Sequence, residues 1–242
     1  MQSIDMDIES KIKNVSISAQ PLFDLKSYKV IGYEIFSEHV ISLYPRSFAE
    51  EKINFYLNSA EILERVLSKC KISKGIKLTL NINENEIMTP SLIGSITVVL
   101  KKYSFPANDL VLEISEKFSS ASLTTVSTIL NSLKEIGIAI ALDDYGAGRK
   151  IAEQILSYLP FSIIKIDKMF LSSTSRASAV CMSEFRKHIE LARKLNYQTI
   201  LEGIENTDDL KVAEDFGIDI GQGYFFGLPR NIDEFKNNDE VM

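Results

Sequence analysis

The sequence predicts an α/β fold, a (β/α)8 TIM-like barrel modified by an antiparallel first strand, on the basis of two observations. Eight short β-rich runs alternate with longer helix-like runs about every 30 residues, a pattern typical of a parallel sheet built from βαβ units. Only five residues, Asp24 to Tyr28, separate the first two runs, whereas a parallel crossover needs about a dozen or more. The first two strands are therefore expected to form an antiparallel hairpin.

Each predicted strand is rich in β-branched and other apolar residues. The strands cover residues 15–23, 29–36, 75–82, 109–114, 138–143, 161–166, 197–203 and 217–223. Eight strands fit a closed barrel better than an open sheet. Pro90 is predicted as a first-turn proline of a helix, and Thr207 with Asp208 as a helix start. Gly137 and Gly217 indicate helix ends.

The composition is that of an ordinary folded domain. The chain has 242 residues, of which 45% are hydrophobic and 25% are charged. This length suits one α/β barrel. We expect an N-terminal lead at 1–14, the barrel domain at 15–230, and a short helix with a polar tail at 231–242.

Charge and apolar patterning argue against several classes of function. The net charge is −6 and no Lys/Arg block stands out, so neither DNA nor an anionic membrane is the expected partner. The N-terminal run "MQSIDMDIESKIK" has no signal-peptide core, and "SLIGSITVVL" is too short to span a bilayer. Cys70 and Cys181 lack metal-ligand spacing and are expected to be free thiols. A cytoplasmic protein is therefore expected.

Polar side chains recur on one face of the predicted strands. Alternate residues of a strand point to opposite faces, so Val111 and Glu113 share one face, as do Ala141 and Asp143. Helices cover the outside of an α/β barrel, so this less apolar face is expected to point inward, toward the C-terminal mouth where barrel enzymes carry out their chemistry. The residues expected at the mouth are Glu34, Asn81, Glu113, Asp143, Asp144, Lys165, Glu202 and Gln222.

Five carboxylates around one lysine would raise each other's pKa unless cations neutralise them. Carboxylate and Asn oxygens suit Mg²⁺, Mn²⁺ or Ca²⁺ better than Zn²⁺. The adjacent Asp143 and Asp144 fit a site for two cations about 3.5–4 Å apart, which can clamp the attacking and leaving oxygens of a phosphate ester. A single acid at a strand end is more often a solvated loop residue or a helix cap. The prediction of a metal site therefore depends on the recurrence of acids on several strands.

Seven motifs, in order over about residues 15–230, are similar to those of one known family. They are "YEIFSE", "LTLNI", "LEISE", "LDDYGAG", "IKIDKMF", "LEGIEN" and "GQGYFFGLP". The set resembles the EAL-domain phosphodiesterases, which hydrolyse the bacterial second messenger cyclic di-GMP. The resemblance implies a modified (β/α)8 barrel with an antiparallel first strand. It also implies water attack on one phosphodiester, which opens the ring to linear pGpG.

The resemblance assigns roles to individual residues. Lys165 would position the attacking water, Glu202 would be the general base or a further metal ligand, and Glu116 would steady the Asp-Asp loop. Ca²⁺ is expected to inhibit. The implied ligands of Mg²⁺ or Mn²⁺ are Glu34, Asn81, Glu113 and Asp143, and Asp144 would serve the second of two cations. The residues implied in substrate binding are Gln20, Gln222 and Arg149.

Some residues depart from the family pattern. Ile35 and Phe36 replace the signature Ala and Leu, which we interpret as packing changes. Glu38 stands where the family usually has an Arg that grips substrate phosphate. The loss of such a charged hydrogen bond costs about 1.5–3 kcal/mol, or about tenfold to 150-fold in affinity. Two alternatives therefore stay open, a non-catalytic cyclic di-GMP receptor and a protein-interaction module. A homodimer is a further expectation, as is a protein partner if the chain is inactive.

The loop after the paired aspartates offers a replacement for the missing arginine. Gly146 to Lys150 stand where the family has Gly-Thr-Gly-Tyr-Ser, so a hydroxyl is lost and two cations, Arg149 and Lys150, are gained. We expect the double variant Arg149→Ala/Lys150→Ala to bind cyclic di-GMP more weakly, because a charged phosphate contact is removed. Isothermal titration calorimetry measures this affinity, and an unchanged value would rule the replacement out.

Overall fold

The computed structural model describes residues 15–37, 58–115, 123–146, 153–172, 176 and 178–235. The predicted N-terminal lead and most of the predicted tail lie outside this range. The strands are β1 (Ile17–Asp24), β2 (Lys29–Ser37), β3 (Lys77–Asn81), β4 (Leu110–Ser115), β5 (Ala139–Tyr145), β6 (Ile163–Ile166), β7 (Gln198–Leu201), β8 (Ile220–Gly221) and β9 (Arg230–Asn231). The α-helices are α1 (Ser59–Lys69), α2 (Glu84–Ile87), α3 (Leu92–Lys102), α4 (Leu123–Glu135), α5 (Glu153–Tyr158), α6 (Ala179–Lys194) and α7 (Thr207–Asp215). Short 3-10 helices lie at Ala107–Asp109, Lys168–Leu171 and Ile232–Glu234.

The strands form a closed barrel. From β2 to β8 they lie in chain order and run parallel to one another. Strand β1 is antiparallel to both β2 and β8 and so closes the ring, while β9 pairs with β1. The β1–β2 hairpin turns tightly at Tyr28, whose N–H donates to the Asp24 carbonyl at 2.8 Å. The predicted (β/α)8 barrel with an antiparallel first strand is confirmed.

Two helices end where the glycines indicate. Gly137 and Gly217 follow α4 and α7 with left-handed φ angles of 99° and 62°, a conformation that closes a helix at little cost for glycine. Helix α7 begins at Thr207, as the sequence indicates. Its cap is Asn206, whose side chain accepts hydrogen bonds from the Asp208 and Asp209 backbone N–H groups.

Two predicted boundaries are wrong. Helix α3 begins at Leu92, so Pro90 is not a first-turn residue. It lies in the turn that the Leu92 N–H closes onto the Thr89 carbonyl at 3.1 Å. The last barrel strand, predicted at 217–223, is only Ile220–Gly221, because it pairs with β7 over two residues.

The barrel interior is built in two layers. The lower layer is a buried apolar plug of Leu22, Val111, Ala141, Ile163, Ile200 and Ile220. On four parallel strands, the residue two positions after the plug residue is ionisable, since the side-chain period of a strand is two. These pairs are Val111–Glu113, Ala141–Asp143, Ile163–Lys165 and Ile200–Glu202. An ionisable layer therefore lies above an apolar one, at the C-terminal end of the barrel.

The helices cover the outer face of the barrel. Leu112 and Ile140 on the strands belong to the same buried apolar cluster as Val126 and Leu130 of α4. This outer packing leaves the inward-facing residues free for the site. Among the described helices, none combines the length and the apolar character needed to cross a membrane.

Two glycine substitutions test the backbone geometry. Gly94 lies exposed in α3, and a Cβ there would meet no atom within 4 Å. Gly94→Ala is expected to raise the free energy of unfolding by about 0.5–1 kcal/mol, because alanine favours a helix.

A Cβ at Gly223 would lie 2.1 Å from the Ile204 carbonyl oxygen. Gly223→Ala is therefore expected to lower the free energy of unfolding by about 2–3 kcal/mol. Urea denaturation measures the free energy of unfolding of both variants, and the same change in Gly94→Ala and Gly223→Ala would contradict this interpretation.

Candidate active site

Lys165 lies at the centre of the ionisable layer. It is the third residue of β6, and its side chain is fully buried. The carboxylate oxygens around its Nζ are Glu34 Oε2 at 3.0 Å, Glu113 Oε2 at 2.8 Å, Asp143 Oδ1 at 3.0 Å and Glu202 Oε1 at 2.8 Å. One ammonium with three N–H donors thus faces four carboxylates. Its single charge cannot balance them.

The strand register brings the side chains to one level. Asn81, the last residue of β3, pairs with Glu113 of β4. In the antiparallel hairpin, Gln20 of β1 pairs with Glu34 of β2. Residues of neighbouring strands with the same orientation lie close together. The hairpin therefore adds a glutamine and a glutamate to the groups supplied by the parallel strands.

The pairing of β5 with β6 is irregular at the two adjacent aspartates. Successive strand residues normally point to opposite faces. Here the β5–β6 register shifts between Leu142 and Tyr145, and Asp144 has a left-handed φ of 57°. Bulges re-aim side chains in this way. Carboxylate oxygens of Asp143, Asp144 and Glu202 consequently lie within 4.8 Å of one another, a grouping that could hold a metal ion.

Amide side chains hold Glu34 in place. Gln222 Nε2 donates to Glu34 Oε2 at 2.7 Å and to Gln20 Oε1 at 3.1 Å. Asn81 Nδ2 donates to Glu34 Oε1 at 3.2 Å. Burial by itself would raise the pKa of Glu34. The charge of Lys165 and the hydrogen bonds from Gln222 and Lys165 outweigh burial, so the pKa lies below its usual value and Glu34 is ionised.

Three further carboxylates around Lys165 have raised pKa values. Burial is the main cause for Glu113, Asp143 and Glu202, and the charge of Glu34 adds to it. The pKa of Glu202 rises to about 7. Burial would lower the pKa of Lys165, but the charges of Glu113 and Glu34 raise it well above its usual value. The layer therefore carries a protonated lysine among carboxylates whose ionisation is opposed by burial and by their mutual repulsion, and bound cations would favour the ionised forms.

Several acceptor oxygens in this layer have no hydrogen-bond donor. Within the described residues, Glu113 Oε1, Asp143 Oδ1 and Gln222 Oε1 are buried and accept no hydrogen bond. Asp143 Oδ1 does have its ion-pair contact with Lys165. An unpaired buried acceptor costs about 1–3 kcal/mol. Oxygen atoms with free lone pairs are what Mg²⁺ and Mn²⁺ require, so the donor set fits such cations.

A cavity opens from the layer to solvent. It has a volume of about 220 Å³, and Gln20, Glu34, Phe36, Glu202, Gln222 and Tyr224 are among its walls. A larger cavity of about 630 Å³ lies at the opposite end of the barrel, where the loops Cys70–Lys74 and Tyr103–Pro106 precede β3 and β4. That cavity contains none of the ionisable layer. The smaller one is therefore the candidate entrance for a substrate.

The structure brings together most of the residues predicted for the mouth. Glu34, Asn81, Glu113, Asp143, Asp144, Lys165, Glu202, Gln20 and Gln222 are linked by the contacts above. Other predicted residues lie outside the described part of the chain. These are Glu38, Glu116, Arg149 and Lys150. Their predicted roles stay predictions.

Strand alternation does not predict two of the cavity walls, Lys168 and Tyr224. Lys168 begins the 3-10 helix after β6 and Tyr224 lies in the turn after β8, where the period-two rule no longer applies. Their location in the sequence could have indicated them, because barrel active sites are built from the loops that follow the strands.

A family model described as the EAL domain matches residues 2–229.

The chain belongs to the EAL domain family.

The chain is also similar to two curated proteins. Signaling protein YkoW of Bacillus subtilis is 30% identical over 233 residues, which cover 90% of this chain and 28% of that protein. Cyclic di-GMP phosphodiesterase RocR of Pseudomonas aeruginosa is 26% identical over 160 residues, which cover 66% of this chain and 40% of that protein. The chain thus spans less than half the length of either relative.

Solved structures share the fold of this EAL domain. The PaMucR phosphodiesterase, in complex with c-di-GMP, has a TM-score of 0.76 at 18% identity, over 95% of this chain and 97% of that one. The Bacillus subtilis YkuI protein, in complex with substrate c-di-GMP and calcium, has a TM-score of 0.72 at 24% identity, over 93% of this chain and 58% of that one. At these identities the likeness concerns the fold, and it agrees with the predicted barrel.

Proposed function

We propose that this EAL domain is a metal-dependent phosphodiesterase that hydrolyses cyclic di-GMP to linear pGpG. The observation that carries the proposal is the cluster of four carboxylates around Lys165, with unpaired acceptor oxygens at the barrel mouth. The relative RocR, a cyclic di-GMP phosphodiesterase, and the PaMucR phosphodiesterase with its bound c-di-GMP support the substrate class. The cluster supplies the oxygen ligands that divalent cations require, and such cations would offset the negative charge of a phosphate ester.

The proposed ligands of Mg²⁺ or Mn²⁺ are Glu34, Asn81, Glu113, Asp143 and Asp144. When bound, such cations neutralise phosphate charge and activate water for attack near neutral pH. The YkuI protein, which has an EAL domain and was solved with calcium, supports a divalent cation in this chain. Inhibition by Ca²⁺ and the preference between Mg²⁺ and Mn²⁺ stay predictions.

Glu202 is the proposed general base. Its pKa of about 7 suits a group that accepts a proton near neutral pH. In the proposed reaction the water oxygen forms a bond to phosphorus, the bond from phosphorus to the 3′ oxygen breaks, and Glu202 takes one water proton. The leaving 3′ oxygen gains a proton from solvent, and Glu202 afterwards returns its proton to solvent. Addition of one water to the ring gives pGpG, so the atoms balance.

Lys165 is proposed to hold the carboxylates in place. Its Nζ donates hydrogen bonds to Glu34 and Glu113 and forms ion pairs with Asp143 and Glu202. The predicted contact of Lys165 with the attacking water requires that one of these contacts be given up. Gln20 and Gln222, which line the cavity and hydrogen-bond to each other, are proposed to contact the nucleotide.

One experiment separates this function from its alternatives. The purified chain is incubated with cyclic di-GMP and Mg²⁺ or Mn²⁺, and both binding and pGpG release are measured, with EDTA as the metal-free control. Metal-dependent release of pGpG supports the enzyme. Binding without release supports the receptor, which the Glu38 position favours, and the absence of both supports a protein-interaction module.

A further inference from the structure

The walls of the substrate cavity carry an unbalanced charge. Four carboxylates, those of Glu34, Asp167, Glu202 and Glu205, line the cavity. Among the described residues that line it, Lys168 is the single cation. Lys165 lies beneath the cavity, fully buried and in contact with four carboxylates. Among the described residues that line the cavity, Lys168 is therefore the cation that an entering phosphate can contact.

Two local contacts fix the position of Lys168. The Asp167 side chain accepts a hydrogen bond from the Met169 backbone N–H at 2.7 Å and so caps the 3-10 helix in which Lys168 is the first residue. The aliphatic part of Lys168 crosses Gly203, where an added Cβ would lie 2.4 Å from Lys168 Cβ and 2.9 Å from Cδ. Gly203 directly follows Glu202. The absence of a side chain at Gly203 thus lets Lys168 lie along the backbone beside the proposed base.

We propose that Lys168 is a substrate-binding residue that contacts a phosphate of the cyclic dinucleotide at the cavity mouth. This inference rests on the proposed function. The substrate carries two phosphates, and the described walls would repel both of them without a cation. A lysine ammonium recognises phosphate as a point charge with three N–H donors. Because Lys168 is exposed, its contact forms at the entrance and acts on binding more than on the reacting bond.

Steady-state kinetics of the full chain with Mn²⁺ test this role. Lys168→Ala is expected to raise KM for cyclic di-GMP about tenfold and to change kcat by less than about twofold. This pattern is expected because the lost contact would stabilise the bound substrate and the transition state equally. Lys168→Glu should raise KM further, and Lys168→Arg should restore most of the affinity. Lys101→Ala, an exposed lysine on α3, is the matched control and should leave both constants unchanged. Mn²⁺ affinity should be the same in all variants.

An unchanged KM in both Lys168→Ala and Lys168→Glu, with an active wild-type chain, would overturn the inference alone. A wild-type chain that neither binds nor hydrolyses cyclic di-GMP would overturn the proposed function and this inference together. A fall in Mn²⁺ affinity in Lys168→Ala would also overturn it, because the residue would then act on the metal site and not on the nucleotide.

Discussion

Replacement of Lys165 by Met is expected to lower the free energy of unfolding by about 3–5 kcal/mol in metal-free buffer, because four carboxylates lose their shared buried cation. Methionine has a similar length and no charge. The change in the free energy of unfolding therefore reflects the lost charge and not a change in side-chain volume. Urea denaturation in the presence of EDTA gives the value. Lys134→Met, at an exposed position of α4, is the control and should change stability by less than about 0.5 kcal/mol.

Divalent cations should offset part of this loss. A cation that binds the folded state stabilises it by mass action. Mn²⁺ is therefore expected to raise the melting temperature of Lys165→Met more than that of the wild-type chain. A stable variant with no response to Mn²⁺ would show that the carboxylates do not repel one another and do not form a cation site.

Replacement of Glu34 by Gln is expected to lower the rate of pGpG release by about 100- to 1,000-fold. Glu34 accepts hydrogen bonds from Lys165, Asn81 and Gln222 and is the proposed ligand with the lowered pKa. Glutamine keeps the shape but removes the charge that the cation needs. The initial rate at saturating Mn²⁺ is the measurement.

Glu190→Gln, an exposed position of α6, removes the same charge away from the mouth and should leave the rate unchanged. Equal rates for Glu34→Gln and the wild-type chain would contradict the proposed role of Glu34. Equal losses in both variants would indicate a general effect of charge and not a site.

The sequence was enough to predict the barrel and which residues face its interior. The antiparallel hairpin follows from the short connection between β1 and β2, because no parallel crossover fits five residues. The inward direction of Glu113 and Lys165 follows from the period of two along a strand. These inferences need only local rules.

The detailed geometry of the site could not be predicted in the same way. The left-handed backbone of Asp144 and the register shift beside it break the alternation, and no residue type at this point indicates them. The four contacts of Lys165 depend on the stagger of neighbouring strands, which a single sequence does not reveal. Lys168 was not predicted because it begins a 3-10 helix after the end of β6, where strand alternation gives no information about the direction of a side chain.

The carboxylate cluster around Lys165 is proposed to bind two divalent cations. Its most direct test is the number of Mn²⁺ ions bound per chain, measured by electron paramagnetic resonance of free Mn²⁺ during titration. We predict that the wild-type chain binds two ions and that Asp144→Asn, which alters one proposed ligand of the second cation, binds one. A wild-type chain that binds no Mn²⁺, or an Asp144→Asn variant that binds as many ions with the same affinity, would contradict the account.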